Sequence, residues 1–203
     1  SLMATATDTS ASPNGVTTNL SFTTVADSTA PTVAYTAPAS GASGVATNAN
    51  ISVKFVDNVG IRSNKIRVRV AGVTAVSNGL GKNGVAITYA STNKGYTLTV
   101  NPPSPWGFGS NIAVVASATD TSASANSVAT NFSFATGADS TAPTVAYTVP
   151  ASGASGVATN ANVSVKFVDN INIRSNKIVV RVAGITALSN GTAKNSFGIT
   201  YVA

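Results

Sequence analysis

Asp27-Ser28-Thr29-Ala30-Pro31-Thr32-Val33-Ala34-Tyr35-Thr36 stands again, unchanged, at Asp139–Thr148. The offset is 112 residues, and the match runs on without a gap from Asp27–Ser91 onto Asp139–Ala203, identical at 51 of 65 positions. In the other direction, residues 1–26 align with 113–138 at 16 of 26 positions. A long internal period of this kind sets the architecture before any local reading begins. The 203 residues therefore hold the tail of one repeat (1–26), one whole repeat (27–138) and the front of a third (139–203). Ser1 aligns with Ala113, inside a strand, and Ala203 with Ser91. Neither end is expected to coincide with a domain boundary.

Between the copies most exchanges keep apolar character: Ile51 with Val163, Val59 with Ile171, Val73 with Ile185, Val76 with Leu188. A packed core tolerates such swaps. The less conservative ones gather at Leu80–Ala86 against Thr192–Gly198 and read as a surface loop. About seven strands are expected in the whole repeat, near 32–36, 51–56, 65–70, 85–89, 96–100, 111–118 and 129–135. Ile51, Val53 and Phe55 alternate with Ser52 and Lys54, and Ile66, Val68 and Val70 alternate with Lys65, Arg67 and Arg69. Turn residues fill the connections, among them Asn78-Gly79 and Asn101-Pro102-Pro103. Seven short strands in about 110 residues indicate an all-β sandwich. Its core is expected at Val53, Phe55, Val68, Ile112, Val114 and Phe134.

The stretch Pro38-Ala39-Ser40-Gly41-Ala42-Ser43-Gly44-Val45-Ala46-Thr47-Asn48-Ala49-Asn50-Ile51-Ser52-Val53-Lys54-Phe55 resembles the opening strands of bacterial immunoglobulin-like (Big-type) domains of surface adhesins, S-layer proteins and extracellular fibres. Ala116-Ser117-Ala118-Thr119-Asp120, a Ser/Asn-rich turn, then Asp139-Ser140-Thr141-Ala142-Pro143 are similar to the strand-end and linker pattern of the same family. The resemblance implies tandem immunoglobulin-like β-sandwiches on the surface of a bacterium or archaeon.

Composition narrows the chemistry. The chain has no Cys, no His and no Glu, and only 9% charged residues, against roughly 25% in ordinary soluble proteins. A disulfide scaffold and the usual zinc ligands, thiol nucleophiles and general bases are absent. No enzyme is expected. No apolar run approaches the roughly 18 residues of a membrane helix. The net charge of +6 favours polyanions such as acidic polysaccharide weakly, and nucleic acid is not expected as a partner.

All six acidic residues are Asp, at three repeat-equivalent places: Asp8 and Asp120, Asp27 and Asp139, Asp57 and Asp169. Because strand direction alternates in a sandwich, Asp27 (before the first strand), Asp57 (after the second) and Asp120 (after the sixth) should meet at one pole. Converging carboxylates repel unless a hard cation relieves them, so calcium at inter-repeat junctions is one reading. Turn capping by Asp, with Arg62 as counter-charge, is the other. Trp106, the only Trp, should sit at the opposite pole, as a carbohydrate platform or as a structural wedge. Lys65, Arg67 and Arg69 form a basic strip, read either as a glycan contact or as a solvated strand face that discourages edge pairing. A Lys–Asn crosslink would need a buried Lys, and Lys54 and Lys65 are expected to point outward. Sequons at Asn19, Asn50, Asn131, Asn162 and Asn190 arise readily in an Asn/Ser/Thr-rich chain.

The favoured role is a semi-rigid spacer within a surface fibre, adhesin stalk or S-layer-like protein, with neighbouring repeats and other copies of itself as partners. Pro31 in the short linker stiffens the connection. The alternative is a carbohydrate-binding module that recognises acidic polysaccharide through Trp106 or the basic strip.

Overall fold

The structure, a computed structural model, describes residues 1–92, 94–198 and 200. The last residues of the 139–203 segment, 201–203, lie outside the described residues. The chain divides into two compact units, Ser1–Ala138 and Asp139–Ala203.

The first unit opens with an antiparallel hairpin, β1 (Leu2–Thr7) and β2 (Gly15–Leu20), exposed throughout. The whole repeat follows as nine strands in two sheets. One sheet has the order β3 (Thr32–Ala37), β4 (Ile51–Val56), β9 (Gly95–Asn101), β8 (Ala86–Thr92). The other runs β11 (Ser127–Ala135), β10 (Asn111–Thr119), β5 (Arg67–Val70), β6 (Val73–Ser77), β7 (Leu80–Gly81). Alternation puts Ile51, Val53 and Phe55 inward from β4, Val68 and Val70 from β5, and Ile112 and Val114 from β10, where they meet Leu98, Val100 and Phe134. Phe55 and Phe134 are among the largest fully buried side chains. All six residues expected in the core are buried.

Two strands exceed the expected seven, β6 and β7. They lie between the expected strands 65–70 and 85–89, and β7 falls within Leu80–Ala86, the stretch that reads as a loop in sequence. Ala71-Gly72 and Asn78-Gly79 all take positive φ, so each pair turns the chain in two residues. Gly79 has no substitute: a Cβ there would lie 2.4 Å from the Ser63 carbonyl oxygen. The Tyr89 hydroxyl, on β8 of the opposite sheet, donates to the Gly79 carbonyl and ties the sheets together at this turn. The expected strand 65–70 is also shorter, because Ser63–Lys65 forms a 3-10 turn before β5. Since β6 and β7 enter as an antiparallel pair, they return the chain to the pole it left. Every later strand keeps the direction the seven-strand count gave it.

The edge of β11 is covered. Gly41 N–H donates to the Ser133 carbonyl, Ala135 N–H to Ala42 O, and Val45 bridges Thr136 in parallel. The Gly/Ser/Ala run 39–45 thus takes up hydrogen-bonding groups that an open edge would leave free.

The second unit repeats this beginning: β12 (Thr144–Val149) pairs with β13 (Ser164–Val168), and β14 (Val180–Val182), β15 (Ile185–Ser189) and β16 (Thr192–Ala193) form a second small sheet. A 3-10 turn again precedes the third strand, at Ser175–Lys177. The same sequence makes the same local structure, while among the described residues of this unit only Ala187 and Leu188 are buried.

Candidate metal centre

Each carboxylate is placed by a short local motif. Asp57 ends β4, and its Oδ1 accepts Val59 N–H (2.9 Å) and Gly60 N–H (3.2 Å) as the chain turns away. Its backbone N–H donates to Lys94 O at 2.9 Å. Asp120 ends β10. Its Oδ1 accepts Ser122 N–H (3.0 Å) and Ser122 Oγ–H (2.8 Å), and its Oδ2 accepts Asn126 Nδ2–H (2.8 Å). Asp27 precedes β3. Its Oδ1 accepts Asn58 Nδ2–H (2.9 Å) and Thr29 N–H (3.2 Å), and its carbonyl accepts Asn126 Nδ2–H (3.2 Å).

These three carboxylates converge: one oxygen from each lies within 4.8 Å of the others. Asp120 is fully buried and Asp57 is only 9% exposed. Burial pushes the Asp120 carboxyl up, yet the hydrogen bonds from Ser122 and Asn126 together outweigh it and hold it below its ordinary value. Among the described residues no Lys or Arg forms an ion pair with these carboxylates. Arg62, the expected counter-charge, gives its Nη2 to the carbonyls of Thr121 (3.4 Å) and Ser122 (2.7 Å) instead. The Oδ2 atoms of Asp27 and Asp57 are buried and accept no hydrogen bond. Buried polar atoms without a partner are rare in folded proteins and call for an explanation.

A hard cation supplies one. Calcium holds carboxylate oxygens at about 2.3–2.6 Å, and oxygens that lie within 4.8 Å of one another can share one such ion. Turn capping accounts for Oδ1 of Asp27 and of Asp57. It leaves both Oδ2 atoms without a role.

The other candidates fall elsewhere. In the second unit, Asp139 accepts Asn170 Nδ2–H (2.9 Å) and Thr141 N–H (3.2 Å), which hold its carboxyl below the ordinary range. Asp169 Oδ1 accepts Ile171 N–H (2.9 Å), and its Oδ2 is again buried and free. Asp8 sits in the exposed β1–β2 turn, where Ser10 and Asn14 wrap it as Ser122 and Asn126 wrap Asp120. Those bonds, the Ser10 hydroxyl first, lower its pKa well below the usual carboxylate range. This cradle is therefore written in Asp-x-Ser-x-x-x-Asn itself. The orienting amides Asn58 and Asn126 were not expected from sequence. Their signal is the recurrence of Asp-Asn at 57–58 and 169–170, and of Asn six residues after Asp8 and Asp120.

Trp106 lies at the opposite pole, half-buried against the core, with its backbone N–H on Thr47 O (2.7 Å) and its indole Nε1–H on Ala49 O (3.2 Å). Its polar handle is used inside the fold, the wedge arrangement. Lys65, in the 3-10 turn, and Arg67 and Arg69, on β5, are exposed. Yet β5 is an interior strand, between β10 and β6, so the basic strip guards no edge. Arg69 Nη2–H donates to Gly72 O (2.8 Å). Lys54 is half-buried and Lys65 exposed, and neither meets the burial that a Lys–Asn crosslink requires.

A family model described as a bacterial Ig-like domain matches residues 27–136 and again residues 139–201. No curated protein matches the chain.

Proposed function

The chain belongs to the bacterial Ig-like domain family, and from that premise we propose a structural, non-catalytic role. It is a semi-rigid spacer in an extracellular fibre, adhesin stalk or S-layer-like protein, each repeat braced by calcium at Asp27, Asp57 and Asp120. Among the described residues no helix is long and apolar enough to cross a membrane.

One observation carries the spacer reading. The end of the whole repeat is tied into its own body: Thr136 Oγ1 donates to Gly107 O (2.6 Å), Gly137 N–H to Val45 O, and Gly137 O accepts Gly109 N–H. Asp139 is tied in turn to Thr141 and Asn170 of the next repeat. In sequence Ala138 alone lies between these two anchorages, and so short a connection supports the spacer reading. The calcium reading rests on the free Oδ2 atoms. Asp27 lies ahead of β3, so an ion there would fasten the incoming chain to the sandwich.

Small-angle scattering on a tandem of two copies of residues 27–138 tests the spacer. A maximum dimension close to twice that of one copy, with a narrow spread, supports it. A compact pair or a broad distribution of lengths contradicts it.

A further inference from the structure

A groove of about 420 Å³ opens on the outer side of the four-stranded sheet, near the carboxylate pole. Thr29, Thr32 and Asn58 line it with Lys54, Lys94 and Asp57. Its floor comes from strand register. Gly95 on β9 stands opposite Val56 on β4, so β9 adds no side chain there and the Val56 and Thr92 side chains form the floor beside the two lysines. A Cβ at Gly95 would lie 2.6 Å from Thr92 Oγ1. Among the described residues neither Lys54 nor Lys94 forms an ion pair with a carboxylate.

We propose that this groove binds an acidic polysaccharide, taking a carboxylate-bearing sugar between the ammonium groups of Lys54 and Lys94. The threonine hydroxyls and the Asn58 amide oxygen suit sugar hydroxyls, and the volume falls within the range of about 300–1,000 Å³ of ligand sites. The next repeat carries the same groove residues wherever the chain supplies them: Thr141, Thr144, Lys166, Asp169 and Asn170. A site of one half-buried and one exposed lysine is weak alone, but copies repeated along one chain gain avidity only for a ligand that also repeats. That selects a polymer over a free sugar. Arg67 and Arg69 lack this setting, since they stand on an open sheet face and Arg69 is already engaged by Gly72. The inference goes beyond the spacer role; of the three charged side chains that line the groove two are lysines and one, Asp57, is a carboxylate, so the lining carries a net positive charge.

The test measures binding of the 203-residue chain to immobilised polygalacturonate at low salt in chelator, with dextran and double-stranded DNA as comparison surfaces. The K54Q/K94Q/K166Q variant should bind about tenfold more weakly, three charges at about 0.5 kcal/mol each, while its melting temperature stays unchanged. R67Q/R69Q should change binding less than about twofold. The proposal is overturned if the chain does not bind polygalacturonate, if dextran or DNA binds as tightly, or if R67Q/R69Q weakens binding as much as the lysine variant.

Discussion

Asp57→Asn separates a cation site from a turn cap, because the two carboxylate oxygens of Asp57 have different surroundings. Oδ1 holds the turn through Val59 and Gly60 N–H, and an asparagine Oδ1 keeps both bonds. Oδ2 is the buried atom without a partner, and Asn replaces it with a neutral amide. In chelator the variant should therefore melt at the same temperature as the native repeat or slightly above it, since one of three converging like charges is gone. In calcium the order should reverse. Three carboxylates correspond to extracellular sites with Kd of about 10⁻⁴–10⁻³ M. At about 5 mM calcium and a Kd near 0.5 mM, ligand linkage stabilises the native repeat by about 1.4 kcal/mol. For a domain of about 110 residues that raises Tm by about 6 °C. Calorimetry on residues 27–138, in calcium and in chelator, reads this crossing directly. A variant that melts several degrees lower in chelator would show that Asp57 is needed for the fold alone. A native repeat with no calcium shift would remove the ion.

Phe55→Ala should cost about 3–5 kcal/mol, because the ring is fully buried between the sheets; a loss below about 1 kcal/mol on denaturant titration would refute the core assignment. Trp106→Phe removes the indole N–H on Ala49 O and should cost about 1 kcal/mol, with polygalacturonate binding unchanged; lost binding at full stability would make Trp106 a ligand platform. Asp120 has a folded pKa below its unfolded value of about 3.9, so its stabilising contribution is full above that value and disappears as pH falls through the folded one. Unfolding followed from pH 5 down to pH 2 should therefore show a loss of stability that Asp120→Asn lessens, and parallel curves for the two proteins would contradict the role of those hydrogen bonds.

The sandwich was legible because Ile51–Phe55 and Ile66–Val70 keep a strict period of two. Strand β6 was not. A bulge between Val68 and Arg69 shifts its register, so Ala75 and Val76 are both buried side by side and the alternation disappears. The Asp pole survived this miss because two strands were overlooked, and a pair restores direction. Asn58 and Asn126 were hidden for another reason: asparagine is common throughout the chain, and only comparison between the repeats marks those that reach a carboxylate. Arg62 next to Asp57 suggested an ion pair, but carbonyls at the end of β10 claim it first. The groove depends on Gly95 facing Val56, a register that no single segment encodes.

The central claim is a calcium ion held at one pole of the repeat, and amide chemical shifts of residues 27–138 during a calcium titration test it most directly. The account predicts saturable changes, with Kd of about 10⁻⁴–10⁻³ M, confined to Asp27–Thr29, Asp57–Gly60 and Asp120–Asn126, with Thr47, Ala49 and Trp106 at the far pole unmoved. Shifts absent at millimolar calcium, or spread evenly over both poles, would contradict it.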